Sequence, residues 1–194
     1  MKKYVLAASL AALAGQAAAQ FHVGAQVGAS NLKLNCADTI SCDRSDVGFK
    51  FFAGYRFHPM LAAEVGYIDF GRARASYPQS GFVVESDLEA QALTAAAVAR
   101  VELLPSLVPS LTGVARLGLA AVHTERENRA AGARVALSTT DQLQPYVGLG
   151  LAYSLRKNVQ AEVSVDMTRA EVESASGNSK GVARLISAGL TYSF

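Results

Sequence analysis

The chain lacks tryptophan altogether, and past residue 19 it offers no apolar run near the roughly 20 residues that a membrane helix requires. Helical anchoring of that part is thereby excluded. Entry into a bilayer would demand a closed barrel, because backbone groups in hydrocarbon have to pair among themselves. Basic residues are not in excess either. Lys2 and Lys3 account for two of the 18 basic residues, so the remaining 16 meet 16 acidic ones and the formal charge past residue 19 is zero. A nucleic-acid partner needs clustered positive charge and has no support here. Cysteine is limited to Cys36 and Cys42, and histidine to His22, His58 and His123.

What the chain does have is a surplus of apolar residues, 51% against 18% charged, richer than an average soluble domain. Part of that surplus lies in residues 1–19, where Lys2-Lys3, an apolar run from Tyr4 to Leu13 and Ala17-Ala18-Ala19 form the three regions of a secretory signal peptide, with cleavage expected before Gln20. The rest is distributed with a two-residue period. In the last thirteen residues, Phe194, Tyr192, Leu190, Ala188 and Ile186 alternate with Ser193, Thr191, Gly189 and Ser187, the pattern of a strand with one apolar and one wet face.

Eight such segments are expected near residues 21–30, 46–57, 61–71, 87–103, 110–123, 138–155, 158–171 and 182–194. The joins Asn31 to Ser45, Arg72 to Ser86, Thr124 to Leu137 and Val172 to Gly181 are long and polar, whereas those at 58–60, 104–109 and 156–157 are short. Long joins at one end and tight turns at the other are the anatomy of an outer-membrane barrel. The expected fold class is all-β: one domain, residues 20–194, forming an eight-stranded antiparallel up-and-down transmembrane β-barrel. Pro145, which cannot donate to a ladder, is expected at the membrane border or at a bulge.

Parity identifies the lumen. Val47, Phe49, Phe51, Ala53, Tyr55 and Phe57 face lipid on one strand, and Val159, Ala161, Val163, Val165 and Met167 on another. The inward set is then Lys50, Arg56, Glu64, Arg100, Glu102, Arg116, Glu162 and Asp166. A lysine or arginine on the lipid face near the midplane costs roughly 2–4 kcal/mol. Reversing every strand would therefore cost at least as much as the roughly 5–15 kcal/mol that holds a domain together. A soluble barrel would place its apolar residues inside, the opposite arrangement.

At this point the chain resembles the OmpA/OmpX-like family of eight-stranded outer-membrane barrels. The stretches that carry the resemblance are Phe52-Ala53-Gly54-Tyr55-Arg56-Phe57, Glu64-Val65-Gly66-Tyr67-Ile68-Asp69-Phe70-Gly71, Pro145-Tyr146-Val147-Gly148-Leu149-Gly150 and the terminal Tyr192-Ser193-Phe194. The resemblance implies residence in the cell outer membrane, among its lipids and lipopolysaccharide. It also implies that Leu190, Tyr192 and Phe194 form the insertion signal read by the barrel assembly machinery, and that the periplasmic peptidoglycan-binding domain of longer members is lacking. Without tryptophan, an aromatic girdle has to come from residues such as Tyr55, Phe57, Tyr67, Tyr153, Tyr192 and Phe194.

Cys36 and Cys42 share the first long join of an exported chain, so a loop-closing disulfide is expected; two free thiols are the alternative, and a metal site has no histidine nearby to complete it. The inward charges, four of each sign, are expected to pair as a polar plug, with a narrow channel for ions or small solutes as the alternative. Some related barrels deacylate lipid A with a Ser-His pair, but Glu125 stands two positions after His123 where the serine belongs, so no enzyme and no cofactor are expected. His22 and His58, at strand ends, are expected to be solvated. Arg169 and Arg184 are the odd basic residues on the outward face. They are either contacts for lipopolysaccharide phosphates or exposed charges just above the membrane. The function expected is a structural or surface-interaction barrel that presents four loops to an extracellular ligand.

Overall fold

A computed structural model describes residues 20–32, 41–43, 45–79, 82–103, 110–130, 133–174 and 177–194. The strands are β1 (Phe21–Leu32), β2 (Ser41–Asp43), β3 (Ser45–His58), β4 (Leu61–Gln79), β5 (Phe82–Glu102), β6 (Leu111–Ala130), β7 (Ala133–Arg156), β8 (Val159–Ser174) and β9 (Gly177–Ser193). All but the short β2 are long. Each long strand pairs antiparallel with its neighbour, and β9 returns to β1 from His22↔Ser193 to Leu32↔Ala183. Eight strands thus close into one barrel that leaves no edge in the lipid. The turns at Pro59-Met60 and Lys157-Asn158 reverse the chain tightly at one end.

The two-residue period decides which side chains meet which medium. Leu117 is 69% exposed and Leu93 64% exposed on the outer wall, values that make sense only with hydrocarbon as the solvent. The opposite face of each strand lines the lumen. Near the tight turns the small cluster Ala62, Val98, Val114 and Ala152 is interleaved with polar and charged residues such as Arg56, Arg100, Gln160 and Glu162. Most of the charged residues lie at this level and just above it. Toward the outer end a larger apolar cluster follows, including Leu32, Ile68, Phe70, Leu88, Val122, Tyr146 and Leu185.

Three of the four expected long joins are shorter than the sequence suggests, because the strands continue past the membrane as hairpins. Backbone pairing reaches Gln79↔Phe82, Ala130↔Ala133 and Ser174↔Gly177. In water both faces of a hairpin can be polar, so the alternation fades while the ladder continues. In the first join, β2 pairs with the top of β4 through Ser41↔Ser76 to Asp43↔Arg74. Cys36 lies outside the described residues, and for Cys42 only the backbone, paired with Ala75, is described.

Two irregularities mark the outer rim. The β4–β5 register shifts between Asp69 and Arg72 around Gly71, whose φ of 68° is left-handed and suits glycine. The extra residue turns Ala73 and Ala75 inward and Arg72 and Arg74 outward. Pro145 sits at a border: the β7–β8 ladder begins at Tyr146↔Thr168, and the Thr168 hydroxyl donates to the Pro145 carbonyl at 3.1 Å. Its missing N–H is therefore harmless to the barrel wall.

Candidate functional site

The lumen gathers most of its titratable side chains into two linked clusters. In the lower one Arg116 of β6 reaches across to two walls, Nε to Glu64 Oε2 at 2.7 Å and Nη1 to Glu162 Oε1 at 2.6 Å. His22 Nε2 lies 3.0 Å from the other Glu64 oxygen. In the upper cluster Lys50 Nζ donates to Asp166 Oδ1 at 2.7 Å and to the Tyr146 hydroxyl at 3.2 Å, and that hydroxyl donates to the same Asp166 oxygen. Ser164 Oγ stands 2.9 Å from both Asp166 Oδ2 and Gln26 Oε1, which ties β1 and β8 to the cluster. Buried charges are tolerated only with such partners.

Phe52 joins the clusters. Its ring centroid is 5.3 Å from Lys50 Nζ, 5.2 Å from the Arg116 guanidinium carbon and 6.3 Å from the His22 ring. Cations over a ring face are favourable, and more so away from water. One ring thus meets a cation from each cluster.

The expected inward set needs corrections and three additions. Glu102 ends β5 and is exposed at its rim, where no wall encloses it. Its loss leaves the four basic residues facing only Glu64, Glu162 and Asp166. Arg56 is half-buried, with its Nε lacking a hydrogen-bond partner. Arg100 is buried and donates to Gln160 Oε1 at 2.6 Å rather than to a carboxylate. His22, expected in solvent, is 1% exposed. Its partner in the ladder is Gly54, whose missing side chain leaves the room its ring occupies. Phe52 and Tyr146 were also missed, although both occupy inward parity and counting would have found them.

At the outer rim the Asp46 carboxylate accepts the Arg72 N–H at 2.7 Å and the Val47 N–H at 2.8 Å, and Asp69 accepts the Gly71 N–H at 2.7 Å. These donors, Arg72 first and Val47 second, hold the Asp46 carboxyl below its ordinary value. His123 and Asp141 pair across β6 and β7 at 2.6 Å, both exposed, and His58 is exposed at its turn. Arg169 and Arg184 are exposed on adjacent strands. Leu190, Tyr192 and Phe194 all lie on the exposed face of the last strand, and the Tyr192 and Phe194 rings pack edge to face with centroids 5.1 Å apart.

Among solved structures, Neisserial surface protein A is similar over 90% of this chain and 97% of its own, with a TM-score of 0.61 at 17% identity. Ail, the attachment invasion locus protein of Yersinia pestis, covers 90% and 99% with a TM-score of 0.54 at 15% identity. The outer membrane protease OmpT of Escherichia coli covers 91% and 97% with a TM-score of 0.52 at 9% identity. Such distant likenesses establish the fold alone. No curated protein matches the chain. The profile of the OmpA-like transmembrane domain matches residues 16–194, nearly the whole sequence, and the chain therefore belongs to the OmpA-like transmembrane domain family of outer-membrane barrels.

Proposed function

We propose that this chain is a small structural and surface-interaction barrel of the outer membrane, held by its wall and meeting external partners through its outer hairpins. Its lumen is closed to ions by its own side chains. The supporting observation is the filled lumen, in which a paired charge network lies beneath a larger apolar cluster at the outer end. An eight-stranded barrel is narrow enough for side chains to fill, and an apolar layer raises the free energy of a desolvated ion passing it. The folded protein in a planar bilayer should give no steady single-channel conductance. Steady conductance would replace closure with the narrow-channel reading. That rival is favoured by Arg100 Nη1, Arg116 Nη2 and Glu162 Oε2, which are buried without hydrogen-bond partners and are natural water sites.

The outer hairpins are what a partner in the medium would meet. Among the described residues, β7 beyond Pro145 pairs only with β6, so its other backbone edge is open to an added strand. We read the protein as non-enzymatic, since His123 has Asp141 beside it but Glu125 where the lipid-deacylating pattern needs serine. Loss of an acyl chain from lipid A in cells carrying the protein would contradict this. Export through residues 1–19, recognition of Leu190, Tyr192 and Phe194 by the assembly machinery, and a Cys36–Cys42 disulfide belong to the same reading. Alkylation of the unreduced protein tests the disulfide: two modified cysteines would end it.

A further inference from the structure

We propose that Arg169 and Arg184 form a binding site for the phosphate group of an outer-leaflet lipid at the boundary of the hydrocarbon. Arg169 lies opposite Val182, and Arg184 lies opposite Met167. The two arginines are therefore diagonal neighbours on one face of adjacent strands, close enough for long side chains to meet. Each stands about ten residues above the tight-turn end of its strand. At about 3.3 Å per residue and a tilt of about 40°, that is about 25 Å of height, the thickness of the apolar band. Below them the same face carries Val163, Val165, Ile186, Ala188 and Leu190. Their long stems can lie on this wall while the guanidinium groups reach the headgroup level.

The rest of the rim is built differently. On β4 to β7 the outward charges at this height are acidic or already paired: Asp69, Arg72 with Glu89 at 2.5 Å, Arg74 with Asp87 at 3.6 Å, and His123 with Asp141 at 2.6 Å. Arg169 and Arg184 are exposed and form no ion pair among the described residues, and Arg184 has only the uncharged Asn31 and Met167 beside it in the ladders. Two planar guanidinium groups with free donors match the oxygens of a phosphate. The β8–β9 sector is thus where a phosphorylated lipid would bind, whereas the basic groups of the β4–β7 sector are already engaged.

The site rests on the outer-membrane reading, which fractionation tests separately: protein absent from outer-membrane fractions would undo that reading, whatever the outcome here. The full barrel, folded in detergent, is titrated with bisphosphorylated lipid A and with the same lipid after dephosphorylation, and bound lipid is counted by native mass spectrometry. Inorganic phosphate is titrated in parallel. The variants are Arg169→Gln, Arg184→Gln, the double substitution and, as a charge control, Arg72→Gln; heat-modifiable mobility confirms that each is folded. Binding should fall about tenfold in the double variant, fall similarly for the dephosphorylated lipid, and persist in Arg72→Gln. Equal binding by the double glutamine variant or by dephosphorylated lipid A would overturn the site. Inorganic phosphate binding as tightly as the lipid would overturn the lipid as its source.

Discussion

Gly24 of β1 lies directly opposite Phe52 of β3, and the phenyl ring covers it so closely that a methyl group added at Gly24 would fall within 2.2 Å of the ring. The same pairing of a large inward side chain with a facing glycine recurs across the wall, at His22 and Gly54, Arg116 and Gly148, and Tyr146 and Gly118. A lumen this narrow admits bulky groups only where the neighbouring strand presents none.

Gly24→Ala should therefore destabilise the barrel by about 1–3 kcal/mol, the usual cost of overpacking. Adding Phe52→Leu should return part of that loss, with a coupling between the two sites of about 1 kcal/mol. Urea unfolding in phospholipid vesicles, followed by heat-modifiable mobility, measures both. Strict additivity would mean that the ring does not occupy the space above Gly24.

Arg116 is the only cation within ion-pair distance of both Glu64 and Glu162 among the described residues. Arg116→Met would leave two carboxylates buried together and should cost about 3–5 kcal/mol, whereas the triple change with Glu64→Gln and Glu162→Gln should recover most of it. The same unfolding assay reads the difference. A triple variant no more stable than Arg116→Met would show that the guanidinium acts by packing rather than by charge.

Asp46 makes the outer rim sensitive to acid. Its carboxyl is held below its ordinary value by the Arg72 and Val47 N–H groups, so its contribution is complete above the unfolded pKa and is lost as pH falls through the lower folded one. The hydrogen-exchange protection of the Arg72 amide, taken as the ratio of wild type to Asp46→Ala at each pH, should be constant near neutrality and fall toward one in acid. A ratio that stays flat into strong acid would contradict the bond.

Leu117 tests the wall from outside. Placed as it is on the lipid face, Leu117→Arg should cost roughly 2–4 kcal/mol near the midplane. The change Val47→Arg at the rim should cost under about 1 kcal/mol, because depth sets the penalty. Equal costs at the two positions would mean that the strand heights in the bilayer are misassigned.

Much of this architecture is readable from residue order, because a barrel wall separates two solvents and every strand records the separation with a period of two. The inward positions of Lys50, Glu64, Arg116, Glu162 and Asp166 follow from parity, since the alternative puts their charges in hydrocarbon. Parity says nothing of partners. That Arg116 reaches both Glu64 on β4 and Glu162 on β8, or that Arg100 meets Gln160 and not an acid, depends on strand stagger across the lumen.

The hairpins above the membrane were hidden for a related reason. Once both faces meet water, side chains from Arg72 to Ser86 or from Thr124 to Leu137 no longer alternate, although backbone hydrogen bonds continue through most of both segments. The bulge at Gly71 then reverses parity within one strand, which no count of alternation can anticipate.

By itself, then, the sequence determined the barrel, its strand number and the inward side of Lys50, Glu64, Arg100, Arg116, Glu162 and Asp166, because lipid and lumen select residue types one position at a time. Only the tertiary structure decided the burial of His22, the approach of Lys50 and Arg116 to the Phe52 ring and the exposure of Glu102. Those depend on register, stagger and the glycine that each neighbouring strand brings opposite, quantities set by closing all eight strands at once.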